Sequence, residues 1–237
     1  MFLLKNNTRK EIKFKVFAKD IGKFYAWLYN SSFKKKYHDR IVNSLYYDTT
    51  NLDFANDNIS GQSNRIKIRA RWYTKNKKDY LNNFCDNNFF IFEIKRKKNN
   101  YSDKIIISKF FLKKKNSFLD RRNLLKKRLK NEVSKFAELS NLVLNDVIFV
   151  NYNRNYYEHC LTGNIRLTID NNISCSICRK TQNIFNTNIS NNFTIIEIKF
   201  NQENEDLVKR ILKTFPFRQV RSSKYLYALS KYFRFSY

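Results

Sequence analysis

The sequence predicts an α+β protein whose antiparallel strands close into a β-barrel with helices packed outside, and three observations carry that expectation. Apolar residues alternate with polar ones, the period of a strand, in five segments between residues 9 and 110 and in three more between 147 and 200. Between those stretches, residues 119–141 switch to helical spacing. The strand faces opposite the apolar ones carry Arg and Lys with isolated Glu and Asp, where a solvated face mixes signs and uses Thr, Ser and Gln. Closing seven or eight such strands turns that face inward, where it must hold a charged ligand.

Residues 9–17 open the chain's strands, with Arg9, Glu11, Lys13 and Lys15 on one face and Lys10, Ile12, Phe14 and Val16 on the other. Asp20 then has the chemistry to cap a short apolar helix around residues 24–29. Residues 41–48 are a second strand, followed by a polar turn region over 51–64. The clearest segment is 65–73, in which Arg65, Lys67, Arg69 and Arg71 alternate with Ile66, Ile68, Ala70 and Trp72. Residues 89–97 repeat the device with Glu93, Lys95 and Lys97 on the face shared with Phe89 and Ile91, and 102–110 contributes Lys104.

Helical spacing from 119 to 141 sets Leu124, Leu125, Leu129, Val133, Phe136 and Leu139 in one stripe, able to cover a sheet. Strands resume at 147–158, with Tyr152, Arg154, Tyr156 and Glu158 in phase. They continue at 164–170, with Arg166, Thr168 and Asp170 in phase, and at 193–200, with Glu197 and Lys199 on one face. Residues 203–214 read as a helix ended by Pro216, and Ser222 or Ser223 begins a last helix through Phe233. Glu93-Ile94-Lys95 and Glu197-Ile198-Lys199 form a weak internal repeat. No Gly-, Ser- or Pro-rich linker separates the halves, so residues 1–237 read as one domain.

Charge narrows the function. Among 237 residues, 47 Lys and Arg face 20 Asp and Glu, a formal net charge of +27, while 42% of residues are hydrophobic and 16% aromatic. That composition excludes general disorder. No window reaches the length of a membrane-spanning helix, and Lys5 interrupts the opening apolar residues before a signal-peptide core forms, so a cytoplasmic protein is expected. A genome rich in A and T explains some of the Lys and Asn but not the scarcity of acids. An excess of this size is best tolerated where a polyanion neutralises it.

Carboxylates amid so many cations have two readings. Glu197 is either a divalent-metal ligand or a structural ion-pair partner, and for Glu11 and Glu93 the ion-pair reading leads. Cys175 and Cys178 have C-x-x-C spacing, but the nearest further ligands are His159 and Cys160, and without a secretion signal ordinary reduced thiols are expected. The cationic runs at 34–36, 113–115 and 121–130 read as solvated faces. Nucleic acid is disfavoured, because single-face alternation beside Glu197 and Asp170 suits a metal-bound triphosphate better than an open stacking surface.

The order Arg9-x-Glu11-x-Lys13, Tyr47-Asp48-Thr49, Lys67-Ile68-Arg69-Ala70-Arg71-Trp72-Tyr73, Phe92 through Lys97, Ser102 through Lys104, Tyr152-x-Arg154, Ile165 through Asp170, Ile196 through Lys199 and Ser223-Lys224-Tyr225 resembles the VTC domain. This is the catalytic domain of vacuolar-transporter-chaperone polyphosphate polymerases, related to the CYTH group of triphosphate tunnel metalloenzymes. The resemblance implies a closed eight-stranded antiparallel barrel forming a basic tunnel. It also implies transfer of the γ-phosphoryl group of ATP to phosphate or polyphosphate with Mn or Mg. Carried over by position, Lys13, Arg69, Arg71, Lys95, Lys199 and Lys224 are the catalytic cations. Arg9, Lys67, Lys104, Arg154, Arg166, Arg221 and Ser223 are substrate contacts, and Glu197 is the metal ligand.

Arg221 stands where relatives often have Lys. No regulatory SPX domain or transmembrane segment is seen, so a free-standing form of prokaryotic type is expected. A triphosphatase of the same architecture shares these residues, and a non-catalytic polyanion binder is the alternative of another class.

Overall fold

The computed structural model describes residues 9–74, 84, 89–98, 101–112, 118–178 and 192–233, with the side chains of 9, 101–103 and 118 left aside. Eight strands form one sheet: β1 (Arg9–Phe17), β2 (Phe33–Asp48), β3 (Asn64–Thr74), β4 (Phe89–Lys98), β5 (Tyr101–Phe111), β6 (Asn145–His159), β7 (Arg166–Ile177) and β8 (Phe193–Asn201). Their order is β1-β8-β7-β6-β2-β3-β4-β5, and the pairings β1–β8, β7–β8, β2–β3, β3–β4 and β4–β5 are antiparallel.

Among the described residues β1 and β5 end this order without pairing to each other. The protein is α+β with an open sheet, and the closed barrel expected from the sequence is corrected. Alternation decides which face a side chain takes, whereas closure depends on tilt and register between the two terminal strands, which no local pattern encodes.

The chain divides into two compact units. Unit one comprises Met1–Arg40, Asn153–Ile173 and Ser190–Ser222, and unit two Ile41–Tyr152, Ser174–Ile189 and Ser223–Tyr237.

Unit one has its own core, in which Phe14 and Val16 of β1, Leu167 and Ile169 of β7, and Ile196 and Ile198 of β8 meet Phe24 and Leu28 of α1 (Ile21–Asn30). Phe215 fills this core, its ring 4.3 Å from that of Phe14 and 4.6 Å from that of Trp27. Asp20 precedes α1 but makes no cap; its carboxylate instead accepts from Lys23 at 3.0 Å. A 3-10 turn at Gln202–Asn204 delays the next helix, here labelled α4, to Glu205–Leu212, where Val208 is buried.

Unit two packs Ile68, Ala70 and Trp72 of β3 and Phe90, Phe92 and Ile94 of β4 against Leu125, Leu129 and Val133 of α3 (Phe118–Val133). The helix is shorter than its periodicity suggested: Leu139 is buried from beyond its end, while Leu124 is exposed. Arg121 departs from the solvated-face expectation and is fully buried, 5.8 Å above the ring of Phe90. Lys127, Arg128 and Lys130 do face solvent, as do Lys34 to Lys36 on β2, and 113–115 lies outside the described residues. Among the described residues the unit also holds two short helices, α2 (Asp53–Ile59) and α5 (Lys224–Leu229), the latter ending before the expected Phe233. Among the described residues no helix is long and apolar enough to cross a membrane.

Candidate functional site

In unit two the apolar partners of β3 and β4 go to the core, so the intervening residues must share the opposite face. The register sets Lys67 opposite Lys95, Arg69 opposite Glu93, and Lys95 opposite Lys104 on β5. Like charges directly opposite one another weaken a sheet. A bulge between Phe92 and Glu93 shifts the β4–β5 pairing, bringing Ile106 opposite Glu93.

Glu93 is 1% exposed and is held by Arg69 Nε at 2.8 Å and Nη2 at 2.7 Å, and by Lys104 Nζ at 2.7 Å. Burial pushes its carboxyl up, but Arg69, Arg71 and Lys104 outweigh burial and bring the pKa down to about 2. One negative charge therefore serves three cations.

Arg71 is the least satisfied of them. Its guanidinium is buried, its Nη1 lies 3.6 Å from Glu93, its Nη2 donates to the Tyr152 hydroxyl at 3.4 Å, and its Nε makes no hydrogen bond. A buried donor left unmade costs about 1–3 kcal/mol, which any acceptor bound there would recover. The surrounding potential is positive: burial would raise the Tyr46 phenol, yet Arg69, Arg71 and Lys224 hold it below its ordinary value. Lys67 donates to Ser223 Oγ at 2.9 Å, and Lys224 Nζ stands 4.7 Å from the Tyr152 ring centre.

Unit one carries a cluster of different balance. Here β1 and β8 pair Lys13 with Glu197 and Glu11 with Lys199. Lys13 Nζ lies 2.7 Å from Glu11 and donates to the Ser222 carbonyl at 3.1 Å. Burial alone would lower its ammonium pKa, but Glu197, Glu11 and Asp170 raise it above the ordinary lysine value. Arg154 donates from Nε and Nη2 to the two oxygens of the buried Asp170 at 2.5 and 2.6 Å, and Lys199 lies 2.9 Å from Glu197. Lys13, Arg154 and Lys199 are thus matched by Glu11, Asp170 and Glu197, whereas Arg69, Arg71 and Lys104 of unit two share Glu93.

These placements separate residues that the sequence treated alike. Arg166 is exposed and reaches Glu158 only at 3.9 Å, and Arg221 is exposed as well. The side chain of Arg9 lies outside the described residues, although its backbone starts β1. Lys95 is half-buried at its register position. Asp170, Tyr46, Asp48 and Tyr225 gained no site role from the sequence, because their contacts depend on register and on the path of the last helix rather than on local spacing. Cys175 is buried and Cys178 half-buried, both as free thiols.

Among the described residues no group of three or more His, Cys, Asp or Glu side chains is placed to hold a metal ion. Glu197 is 5% exposed, with Lys199 beside it and Arg154 Nη2 at 3.5 Å. A hard divalent cation held here would draw on a carboxylate already paired with Lys199 and Arg154, so phosphate oxygens and water would have to complete its shell.

A sequence model of the family described as the VTC domain matches residues 2–233. No curated protein sequence matches the chain. Solved structures similar in chain trace include a protein from Pyrococcus horikoshii, at 16% identity and TM-score 0.45, with 93% of this chain and 96% of that one covered. A protein from Hippeastrum, described as a candidate adenylyl cyclase with a dominant triphosphatase activity, aligns at 12% identity and TM-score 0.48 over 93% and 95% of the two chains. A candidate adenylate cyclase from Vibrio parahaemolyticus aligns at 11% identity and TM-score 0.48, over 93% and 97%.

Proposed function

Since the chain belongs to the VTC domain family, we propose that it is a divalent-metal-dependent phosphotransferase that moves the γ-phosphoryl group of ATP onto phosphate or a polyphosphate chain. The observation that carries this reading is the buried Arg71 guanidinium, with an unmet Nε donor, in a cluster where Arg69, Arg71 and Lys104 share the single carboxylate of Glu93.

The chemistry asks little else of the protein. A terminal phosphate of the acceptor is already an anion at neutral pH, so no side chain need take its proton before an oxygen attacks the γ-phosphorus. The bond to the β-phosphate bridging oxygen breaks, ADP leaves, and the acceptor is one phosphate longer. Catalysis then rests on holding the anions in line and neutralising their charge. Arg71 supplies a planar fork for non-bridging oxygens, and Lys67, Lys95, Lys104 and Lys224 supply point charges between which a chain can slide. Glu197 is the residue assigned to hold the metal, with Lys199 and Arg154 fixing its carboxylate. When bound, Mn or Mg neutralises charge on the phosphoryl oxygens.

The deciding experiment incubates the purified protein with ATP and Mn and resolves ADP, free phosphate and long-chain polyphosphate, with Glu197→Gln in parallel. Polymer and ADP from the wild type alone support the reading. Phosphate without polymer makes the protein a triphosphatase, and tight tripolyphosphate binding without turnover makes it a polyanion-binding module.

A further inference from the structure

Another buried carboxylate in unit two, that of Asp48, is held by neutral hydrogen-bond donors in the contacts seen. Asp48 ends β2, and its oxygens accept four hydrogen bonds. Oδ1 takes the backbone N–H of Thr49 at 2.8 Å and of Phe54 at 3.0 Å, and Oδ2 takes that of Ala55 at 3.0 Å. Oδ2 also accepts from the Tyr225 hydroxyl at 2.6 Å. The backbone bonds tie Asp48 to the first turn of α2, so the carboxylate is held by local contacts as well as by Tyr225. The Tyr225 ring in turn stacks on Tyr46, with centres 4.8 Å apart at 20°, and Tyr46 accepts from Arg69 at 3.3 Å.

Tyr225 directly follows the pair whose side chains enter the basic face. Ser223 accepts from Lys67 at 2.9 Å and from the Leu226 backbone N–H at 3.4 Å, while Lys224 lies over Tyr152. The chain before these residues is irregular, and α5 spans only Lys224–Leu229, too short to hold its place by its own hydrogen bonds. Its position is therefore set by tertiary contacts: Tyr225, Leu226, Ala228 and Leu229 are buried, and the Tyr225 hydroxyl adds a buried hydrogen bond to Asp48.

We propose that Asp48 and Tyr225 form a latch that positions Ser223 and Lys224 beside Lys67 for phosphate binding. Tyr225 and Asp48 are positioning residues, acting through Ser223 and Lys224 and touching no substrate themselves. The phosphate part of this inference rests on the function proposed above; the latch itself does not.

Tyr225→Phe is the informative variant, because it keeps the ring stacked on Tyr46 and removes only the hydroxyl. Two measurements are made on the full chain. In the unliganded protein, amide hydrogen exchange should lose protection at residues 226–230 and in the first turn of α2, with β3 and β4 unchanged. Unchanged exchange at 226–230 would overturn the latch. With inorganic tripolyphosphate as the calorimetric probe, the variant should bind roughly tenfold more weakly than wild type, the scale of one lost hydrogen bond to a charged group.

The same substitution in a Lys224→Ala background should then cost much less than tenfold, because the residue through which it acts is gone. Equal losses in both backgrounds would assign Tyr225 a general structural role and overturn the proposal. If wild type fails to bind tripolyphosphate, the functional reading falls, and the exchange experiment alone decides the latch.

Discussion

Arg69 closes a two-point ion pair on Glu93, with Nε at 2.8 Å and Nη2 at 2.7 Å from the same carboxylate oxygen. Arg71, two residues along the same strand face, reaches that oxygen only at 3.6 Å and keeps an unmet Nε. The repeated Arg-x-Arg spacing thus hides a division of labour. Arg69 is committed to the carboxylate beneath it, and Arg71 retains donor capacity.

Substitution by Met, which keeps the packing volume, should separate the two. Arg69→Met breaks a buried pair and is expected to cost about 3 kcal/mol of stability. Arg71→Met removes an incompletely bonded buried charge, and its stability should stay within about 1 kcal/mol of wild type while tripolyphosphate affinity falls at least tenfold. Urea denaturation and calorimetry on both variants check this. Equal stability losses would erase the distinction.

Stability should also depend on acid through Glu93. Its carboxyl is lowered from the ordinary 4.5 to about 2 in the folded chain, because Arg69, Arg71 and Lys104 overcome the opposing effect of burial. A depressed folded-state pKa means that the unfolded chain takes up the proton first as pH falls. The stabilisation is therefore complete above about pH 4.5 and is lost progressively toward pH 2, amounting to about 3 kcal/mol at full extent. Urea midpoints measured between pH 6 and pH 3 should fall for wild type. The fall should be distinctly shallower in Glu93→Gln, which has no carboxyl to titrate at that position.

The strand faces were legible because alternation is a local property. Ile66, Ile68 and Trp72 pack into the core while Lys67, Arg69 and Arg71 line the other side, as their spacing alone requires. Closure was not legible, since nothing in β1 or β5 records whether the two strands meet. Ion-pair partners were equally hidden. Arg154 carries a phosphate-binding spacing, but its donors meet Asp170 on β7, and that contact exists only through the strands' mutual register. Helix ends were legible where a side chain truly caps: Ser223 accepts from Leu226, whereas Asp20 at the analogous position before α1 makes no cap. The partner of Asp48 was not legible either: the sequence places it at the end of a strand, and only the returning last helix brings the Tyr225 hydroxyl to its carboxylate.

Glu197 tests the metal assignment. Its carboxylate lies 2.9 Å from Lys199 and 3.5 Å from Arg154, so the glutamine variant leaves those cations less neutralised. Glu197→Gln should abolish the dependence of ATP consumption on added Mn or Mg, with activity at background. Tripolyphosphate binding measured without metal should stay equal or become tighter, since one negative charge is gone. A variant with undiminished metal-stimulated turnover would remove Glu197 from the metal site.

The surplus charge of unit two leads to the last expectation. Lys67 sits opposite Lys95, and Lys95 opposite Lys104, so three neighbouring strands present cations in a row to whatever occupies that face. An unfolded chain offers no such array, and a ligand that binds only the folded state stabilises it by mass action. Tripolyphosphate at about one hundred times its dissociation constant should add about 2.7 kcal/mol and raise the thermal midpoint accordingly. Because the attraction is between charges, added salt screens it, with a Debye length of about 10 Å at 0.1 M and about 3 Å at 1 M. Thermal scans with and without tripolyphosphate in low and high KCl should therefore show the shift shrinking steeply with salt. Lys95→Ala should reduce both the shift and its salt dependence, since one fewer cation faces the ligand. A ligand-induced shift that persists unchanged in 1 M salt would indicate recognition by shape and neutral hydrogen bonds, and would take this row of cations out of the binding face.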